Sequence, residues 1–292
     1  FENLLTYNTF KRYGRIDLPS DFDSKGIVLT RGVQGRVYHN VNLDFDKEIY
    51  DEILYFDTDT GDDSNGNGSS VSPYKTLAKC FSHIENSVNA RFKIIGKGRL
   101  FRDECYREDA GMTYKPTLVN KTVYIVGAND DGSNVVISNA QSSTRNTGYN
   151  TSNPPLSWTA YNGIWKTTRN NVFNVVDLKN KDFYGIGIPL QLVSTLTECE
   201  NTPNTWYTDG TTVYVHTYDS RKPDDDVLVC LRVAGFYVKL IKSKLIMKNF
   251  DFYDGLNMGY DGTCYVEGDL NSTFIGINCK ASGGNMTNTV SG

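Results

Sequence analysis

The chain has 292 residues and a formal net charge of -4, so it can form one large β domain or two ordinary ones, and its charge gives no reason to expect nucleic acid or an anionic membrane as partner. No apolar run approaches the ~18 residues of a membrane-spanning helix. Aromatic residues make up 12% and charged residues 22%, with 26 glycines, which is typical of strand-rich and turn-rich proteins rather than helical bundles.

The first 53 residues mix charged turns with short strand-like runs. They show little helical periodicity. Two interpretations stay open for residues 1–53: a region that attaches the protein to something upstream, or an irregular beginning of the domain that follows.

A polar loop followed by a short amphipathic helix is predicted for residues 57–84. Ser72 and Pro73 are typical of an N-cap and a first helical position. The spacing of the next apolar residues puts four of them on one helical face: Leu77, Cys80, Phe81 and Ile84. A helix this short must lie against an apolar surface.

The same loop contains the opening pattern of a calcium site. Asp63, Asn65, Asn67 and Gly68 match that pattern, but Tyr74 stands where a bidentate glutamate is required. A solvated turn is therefore favoured, with calcium as the alternative. No other cofactor is predicted, because the chain contains no P-loop, dinucleotide fingerprint or HExxH motif.

Strands are predicted in three runs after the helix, at residues 90–101, 121–130 and 133–140. Each is rich in β-branched or aromatic residues and ends at Gly, Asn or Asp. Their spacing does not suit two-residue hairpins, and no helix lies between them to build a βαβ unit. A parallel solenoid satisfies both constraints.

The sequence here is similar to the beginning of the right-handed parallel β-helix of pectate-lyase-like proteins. The resemblance is carried by the order of GDDSNGNGSSVSPYKTL, the helix, KIIGKGRL and KTVYIVGAND. It covers residues 54–140 and 227–292, and it implies an all-β solenoid whose helix covers the first coil and its exposed strand edge.

Residues 141–226 are predicted to form an inserted β subdomain. A hairpin is expected around Trp206, Tyr207 and residues 213–216, turning through Asp209 and Gly210. This hairpin resembles a small insertion in some carbohydrate-active β-helix proteins. Trp158, Trp165 and Trp206 either pack the insertion onto the solenoid or offer rings on which a sugar stacks.

An internal repeat with an offset of 29 residues supports the solenoid. It aligns the following pairs: Ser243 with Ser272, Leu245 with Phe274, Asn249 with Asn278, and Gly255 with Gly284. An asparagine that recurs at a turn can form a ladder between coils. The coils are expected to continue beyond residue 292.

Candidate chemistry falls mostly on the last predicted coils. Glycosidases need two carboxylates across a scissile bond, and lyases need a base and a cation that holds the uronate. The carboxylates that could supply such groups are Asp251, Asp254, Asp261, Glu267 and Asp269. The residues expected to contact a glycan are Trp206, Tyr207, Tyr253 and Asp254.

Two classes of function follow from the resemblance. One is a phage tail spike or tail fibre, located in the virion tail. It would form a homotrimer, bind host cell-surface polysaccharide and attach upstream through its N-terminal region. The other is a secreted bacterial polysaccharide lyase or glycoside hydrolase of the same fold. A spike that also cleaves its polysaccharide would combine the two.

Overall fold

The computed structural model describes residues 4–5, 29–31, 37–39, 45–105, 107–109, 112–114, 116–149, 153–183, 185–231, 236–253 and 264–282. The chain divides into two compact units, residues 1–49 and 50–292. The division lies close to the boundary predicted after residue 53.

In the first unit, three described strands form a small antiparallel sheet. Its strands are β1 (Leu4–Leu5), β2 (Leu29–Arg31) and β3 (Val37–His39). A 3-10 helix follows at Phe45–Lys47.

The second unit contains three sheets in which the described strands pair in parallel. Sheet 1 consists of β4 (Glu52–Asp57), β5 (Arg91–Lys97), β10 (Thr122–Gly127), β21 (Lys244–Lys248) and β24 (Thr273–Ile277). Sheet 2 consists of β6 (Arg99–Leu100), β11 (Val135–Ser138), β22 (Phe250–Tyr253) and β25 (Lys280–Ser282). Sheet 3 consists of β9 (Thr117–Val119), β20 (Phe236–Ile241) and β23 (Cys264–Gly268). The protein is therefore mostly β, as predicted, and the strands expected in residues 90–140 are confirmed.

The chain visits these sheets in a fixed cyclic order. It runs from β5 to β6 and β9, then through β10 and β11, and after an insertion it continues with β20, β21 and β22. A last described circuit follows in β23, β24 and β25. Each circuit adds one strand to each sheet beside the strand of the circuit before.

Register between circuits aligns apolar side chains into columns that fill the core. Val123 pairs with Phe92 on one side and Leu245 on the other, and all three side chains are fully buried. A neighbouring column contains Ile94 and Ile125, which are also fully buried. Burial of such columns is the main favourable contribution to the stability of stacked strands.

The 29-residue repeat is confirmed where the structure describes it, because Leu245 is the register partner of Phe274. The Asn278 amide donates to Asn249 Oδ1 at 2.9 Å, and the Asn249 amide donates to the Gly127 carbonyl at 3.2 Å. Both asparagines have positive φ, 64° and 50° for Asn249 and Asn278, a conformation that asparagine tolerates better than most residues. Gly255 and Gly284 lie outside the described residues.

Helix α1 (Leu77–Asn86) begins later than the Ser-Pro pattern predicts. Its N-cap is Thr76, whose hydroxyl accepts a hydrogen bond from the Lys79 backbone N–H at 3.1 Å. The predicted start at Ser72 and Pro73 is wrong, because the chain stays extended there and forms an isolated parallel bridge at Tyr74.

This extended segment covers the edge of the first strand of sheet 1. The backbone N–H groups of Tyr55 and Asp57 donate to the carbonyls of Gly68 and Tyr74, each at 2.8 Å. An uncovered edge would present these groups to other chains. The polar loop thus has a structural role as the cover of β4.

Helix α1 lies against the first circuit, in contact with β4, β5 and β9. The four residues predicted for its apolar face, Leu77, Cys80, Phe81 and Ile84, are all fully buried. His83, on the same helix, is half-buried, with Nδ1 2.9 Å from the Tyr74 hydroxyl and Nε2 2.7 Å from Glu52 Oε1.

The insertion forms two mixed or antiparallel sheets and a short helix, α2 (Leu196–Asn201). One sheet contains β12 (Thr159–Tyr161), β13 (Ile164–Thr168), β16 (Gln191–Leu192), β17 (Thr205–Thr208) and β18 (Thr212–His216). The other contains β14 (Val172–Lys181), β15 (Gly187–Pro189) and β19 (Val227–Leu231). A separate hairpin joins β7 (Arg107–Asp109) to β8 (Met112–Tyr114).

The predicted hairpin of the insertion is confirmed, since β17 and β18 pair antiparallel. The predicted end of the insertion at residue 226 is wrong. Strand β19 pairs antiparallel with β14, so the insertion continues through Leu231 before the chain returns to sheet 3.

Among the described residues, no helix is long and apolar enough to span a membrane. The thiols of Cys80, Cys199 and Cys279 are outside any disulfide, and burial raises the pKa of each.

Candidate functional site

A cleft of about 1010 Å³ lies between sheet 2 and the insertion. Sheet 2 and its preceding turns supply one wall, including Arg99, Val136 and Asp251. The insertion supplies the other, including Lys179 and Asp226. A ligand in the cleft would therefore contact both parts of the second unit.

The sheet wall is ordered by strand register. Val136 pairs with Arg99 of the circuit before and with Asp251 of the circuit after, and Asp251 pairs with Lys280. Neighbouring strands lie about 4.8 Å apart. These side chains therefore form one outward-facing row with a regular spacing, while their neighbours Leu100, Ile137 and Phe252 point into the core.

Ion pairs fasten the insertion wall to the sheet wall. Arg99 Nη2 lies 2.5 Å from Asp226 Oδ1, and its Nη1 donates to the Asp225 carbonyl at 2.8 Å. Lys179 Nζ lies 2.9 Å from Asp226 Oδ2 and 3.0 Å from Asp224 Oδ2. The carboxylate of Asp226 thus accepts from one cation on each wall.

The pKa of Asp226 follows from this arrangement. Burial acts to raise it, but the hydrogen bond from Lys179 and the charge and hydrogen bond of Arg99 outweigh burial, so the pKa is lowered. The pKa of Lys179 is raised, chiefly by its hydrogen bonds to Asp226 and Asp224. Asp226 and Lys179 therefore both stay charged across the neutral range.

A buried ion pair between Arg145 and Glu104 lies next to the cleft. Both terminal nitrogens of the Arg145 guanidinium, Nη1 and Nη2, donate to the Glu104 carboxylate, at 2.5 and 2.9 Å, and Nη2 also donates to the Arg99 carbonyl at 2.8 Å. Glu104 is fully buried, and its second oxygen also accepts from the Phe101 N–H at 2.8 Å. Arg145 lines the cleft, so this pair links the cleft surface to the core.

A smaller cavity of about 550 Å³ adjoins the cleft. Thr144 lines both cavities, and Asp224 in the smaller one is followed directly by Asp225 in the larger. Trp158 also lines the smaller cavity, where its indole N–H donates to Ser143 Oγ at 2.9 Å.

The glycan-contact residues predicted from sequence fall in different places. Tyr253 lies in the wall of the cleft, 3% exposed, and its hydroxyl accepts from the Gly187 N–H at 2.9 Å. Trp206 is 2% exposed in the core of the insertion, so it has no free face for a sugar, and its assignment is wrong. Tyr207 is half-buried and packs with Tyr214, away from the cleft lining. Asp254 lies outside the described residues.

The candidate carboxylates are likewise dispersed. Asp251 lines the cleft and accepts from the Asn134 amide at 2.7 Å. Glu267 lies on sheet 3, where it pairs with Lys239 at 2.8 Å. Asp269 accepts from Ser272 in a turn. Asp261 lies outside the described residues, so Asp251 is the candidate that the structure places in the cleft.

The loop proposed as a calcium site uses its polar groups internally. Asp63 Oδ1 accepts from the backbone N–H groups of Lys75 and Thr76, and its Oδ2 accepts from the Thr76 hydroxyl. Asn65 donates to Asp62, and Asn67 accepts from the Ser69 N–H. Across the described residues, no group of three or more His, Cys, Asp or Glu side chains could hold a metal ion.

We therefore expect Asp63→Ala to lower the free energy of unfolding by about 1–2 kcal/mol, because two backbone donors and the N-cap hydroxyl lose their acceptor. Urea unfolding followed by circular dichroism measures this. The exposed neighbour Asp59 serves as control, with a change below about 0.5 kcal/mol expected for Asp59→Ala. A melting temperature that falls on addition of EDTA would show instead that the loop holds a metal.

Sequence analysis did not identify most of the cleft. Its polar contacts are made by Arg99, Asn134, Lys179 and Asp226, none of which was a candidate site residue. One sequence signal for the cleft was the run of three carboxylates from Asp224 to Asp226. Carboxylates that become half-buried need cations nearby. Their partners lie far away in sequence, as the separation of Arg99 from Asp226 shows.

Comparison with known proteins adds little to this description. No family model matches the chain, and no curated protein matches it. Among solved structures, a chain described as "The complex structure of XylC with xylose" is similar, with 12% sequence identity and a TM-score of 0.36. The match covers 69% of this chain and 40% of that one, so the present chain spans well under half the length of that structure.

Proposed function

We propose that the three parallel sheets are the faces of a right-handed parallel β-helix of the pectate-lyase-like kind. The cyclic order of the sheets and the parallel register between circuits support this. The covering helix α1 at the first circuit and the 29-residue repeat agree with it. The antiparallel insertion is then an elaborated loop between two coils.

We further propose that the protein is a phage tail spike or tail fibre that binds host cell-surface polysaccharide in the cleft. The observation that carries this is the cleft itself, which is lined by side chains from successive circuits at a regular spacing. A rigid row of hydrogen-bonding groups suits a polymer whose units repeat. Its volume of about 1010 Å³ lies at the upper end of those of known ligand sites.

Assembly and location follow from the same proposal. The protein would act as a homotrimer in the virion tail, joined to an upstream tail component through residues 1–53. Three clefts would bind one surface together, so weak single contacts would add to a strong total attachment. Light scattering that shows a stable trimer supports the spike, and a monomer supports the secreted enzyme.

Replacing Asp251 tests the binding site. We expect Asp251→Ala to weaken retention of the bound polysaccharide about tenfold, the effect of losing one hydrogen-bonding group with charge. The assay is binding to an array of purified bacterial capsular and O-antigen polysaccharides. Glu200→Ala is a matched control, since Glu200 is also a half-exposed carboxylate bound by one asparagine amide, at 2.9 Å, but outside the cleft.

Two results would contradict the proposal: an array on which no polysaccharide is retained, and equal binding by Asp251→Ala and the parent protein.

The same samples also test the enzyme alternative. Asp251 and Asp226 both line the cleft from opposite walls, and a glycosidase requires two such carboxylates. Release of reducing ends that Asp251→Asn abolishes, while binding persists, would show that the protein cleaves what it binds.

A further inference from the structure

The cleft carries more negative than positive side chains. Seven aspartates line it, against five cations. The cations are Lys97, Arg99, Arg145, Lys179 and Lys181. A polymer that enters this cleft therefore meets a surface with a net negative charge.

The cations are also largely engaged with carboxylates of the protein. Lys97 pairs with Asp130 at 2.6 Å, Arg99 and Lys179 pair with Asp226, and Arg145 pairs with the buried Glu104. A carboxylate or sulfate on a ligand would have to displace one of these internal partners. At Arg99, Lys179 and Arg145, displacement would leave a half-buried or buried carboxylate without its cation, which is unfavourable. Asp130, the partner of Lys97, is 86% exposed, so separating that pair is less unfavourable.

Lys181 is the remaining cation, exposed at the rim of the cleft and outside any ion pair among the described residues. Even so, its charge acts on Asp131. The pKa of Asp131 is lowered, first by hydrogen bonds from Ser133 and in smaller part by Lys181. A single exposed lysine facing a carboxylate gives weak selectivity for an anionic polymer.

The carboxylates, by contrast, have acceptor capacity left. Asp251 accepts one described hydrogen bond, from Asn134, whereas an ionised carboxylate can accept about four. Asp59 is exposed and receives one weak side-chain contact, from Thr58 at 3.5 Å. Hydroxyl and ammonium groups donate strongly to carboxylates, and both occur on neutral and amino sugars.

We infer that the cleft selects a neutral or amino-bearing polysaccharide and disfavours polymers of uronic acids or sulfated sugars. The inference rests on the proposed function and specifies its substrate class. The adjoining cavity adds no net positive charge, because it is lined by one cation, Lys222, and one carboxylate, Asp224. A lyase needs a cation to hold the uronate of its substrate, and the paired cations of this cleft leave little to serve that role.

The test compares each acidic polysaccharide with its own carboxyl-reduced form, in which the carboxylates have become hydroxymethyl groups. The array also contains neutral and amino-bearing polysaccharides. We expect retention of neutral, amino-bearing or carboxyl-reduced polymers, with a preference of about tenfold or more over the parent acidic form. Lys181→Ala should change binding of the preferred polymer by less than about twofold.

The outcomes separate the inference from the proposed function. If acidic polymers bind and their reduced forms do not, or if Lys181→Ala weakens binding about tenfold, the substrate class is wrong while polysaccharide binding stands. If no polymer binds in any form, the proposed function itself fails. Asp130→Asn provides an internal check, because it releases Lys97 and should strengthen binding of the acidic polymers about two- to fivefold.

Discussion

Replacing Arg145 with methionine should lower the free energy of unfolding by about 3–5 kcal/mol, the usual effect of removing one partner of a buried ion pair. Glu104 is fully buried and accepts hydrogen bonds from both terminal nitrogens of the Arg145 guanidinium. Methionine keeps much of the apolar stem, so the variant mainly removes the charge and its hydrogen bonds. Urea unfolding near neutral pH, followed by circular dichroism, measures the difference.

The pH dependence of this variant distinguishes loss of charge from loss of packing. The pKa of Glu104 is raised because burial outweighs the hydrogen bond and charge of Arg145, and without Arg145 it should rise further. A carboxyl whose folded-state pKa is raised stabilises the fold fully below its unfolded pKa and loses that contribution as pH rises through the folded value. The deficit of Arg145→Met should therefore be smaller at about pH 5 than at about pH 8.

A double variant provides the control. Glu104→Gln combined with Arg145→Met removes the buried charge, so it should be more stable than Arg145→Met alone at about pH 8. Equal deficits at both pH values, with no recovery in the double variant, would show that Arg145 acts only through packing, for example against Phe101, whose ring centre lies 5.3 Å from the guanidinium.

The features that sequence analysis predicted correctly depend on local patterns. The buried face of α1 follows from helical spacing, which places Leu77 and Phe81 one turn apart. The repeat follows from the stacking of circuits, because Asn249, which follows β21, recurs after β24 as Asn278. Both patterns are contained within about thirty residues of the chain.

The helix start was mispredicted because two local signals competed. Ser72 and Pro73 are compatible with a helix N-terminus, but Pro73 is equally compatible with extended backbone. Hydrogen bonding across the edge of β4 decided between them, since the Tyr74 N–H and carbonyl pair with Tyr55 and Asp57. The tertiary requirement to cover a strand edge overrode the local preference.

The cleft could not be predicted in the same way, because its two walls are distant in sequence. Arg99 and Asp226 meet only when the insertion folds back on sheet 2. Trp206 shows the converse error. An aromatic residue in a strand can face solvent or a core, and the sequence alone does not say which face of β17 packs inward. The aromatic residues indicated that the protein could have a sugar-binding surface, but they did not indicate where on the protein that surface lies.

Truncating Phe81 to alanine should lower the free energy of unfolding by about 3–5 kcal/mol, the range for large aromatic residues in well-packed cores. Phe81 is fully buried in α1, and its ring centre lies 6.2 Å from that of Phe236 on sheet 3. The alanine variant leaves a cavity between the helix and the first circuit that neither the strands nor the helix can close without losing other contacts. Urea unfolding measures the loss.

Val88→Ala is the matched control, because Val88 follows α1 closely and is 100% exposed. Its truncation should change the free energy of unfolding by less than about 0.5 kcal/mol. The Phe81 variant should also expose apolar surface at the first circuit, detected as increased binding of a hydrophobic dye, since α1 covers strands β4, β5 and β9. If Phe81→Ala unfolds like Val88→Ala and binds no additional dye, then α1 does not close the core, and the stacked sheets must be stable without it.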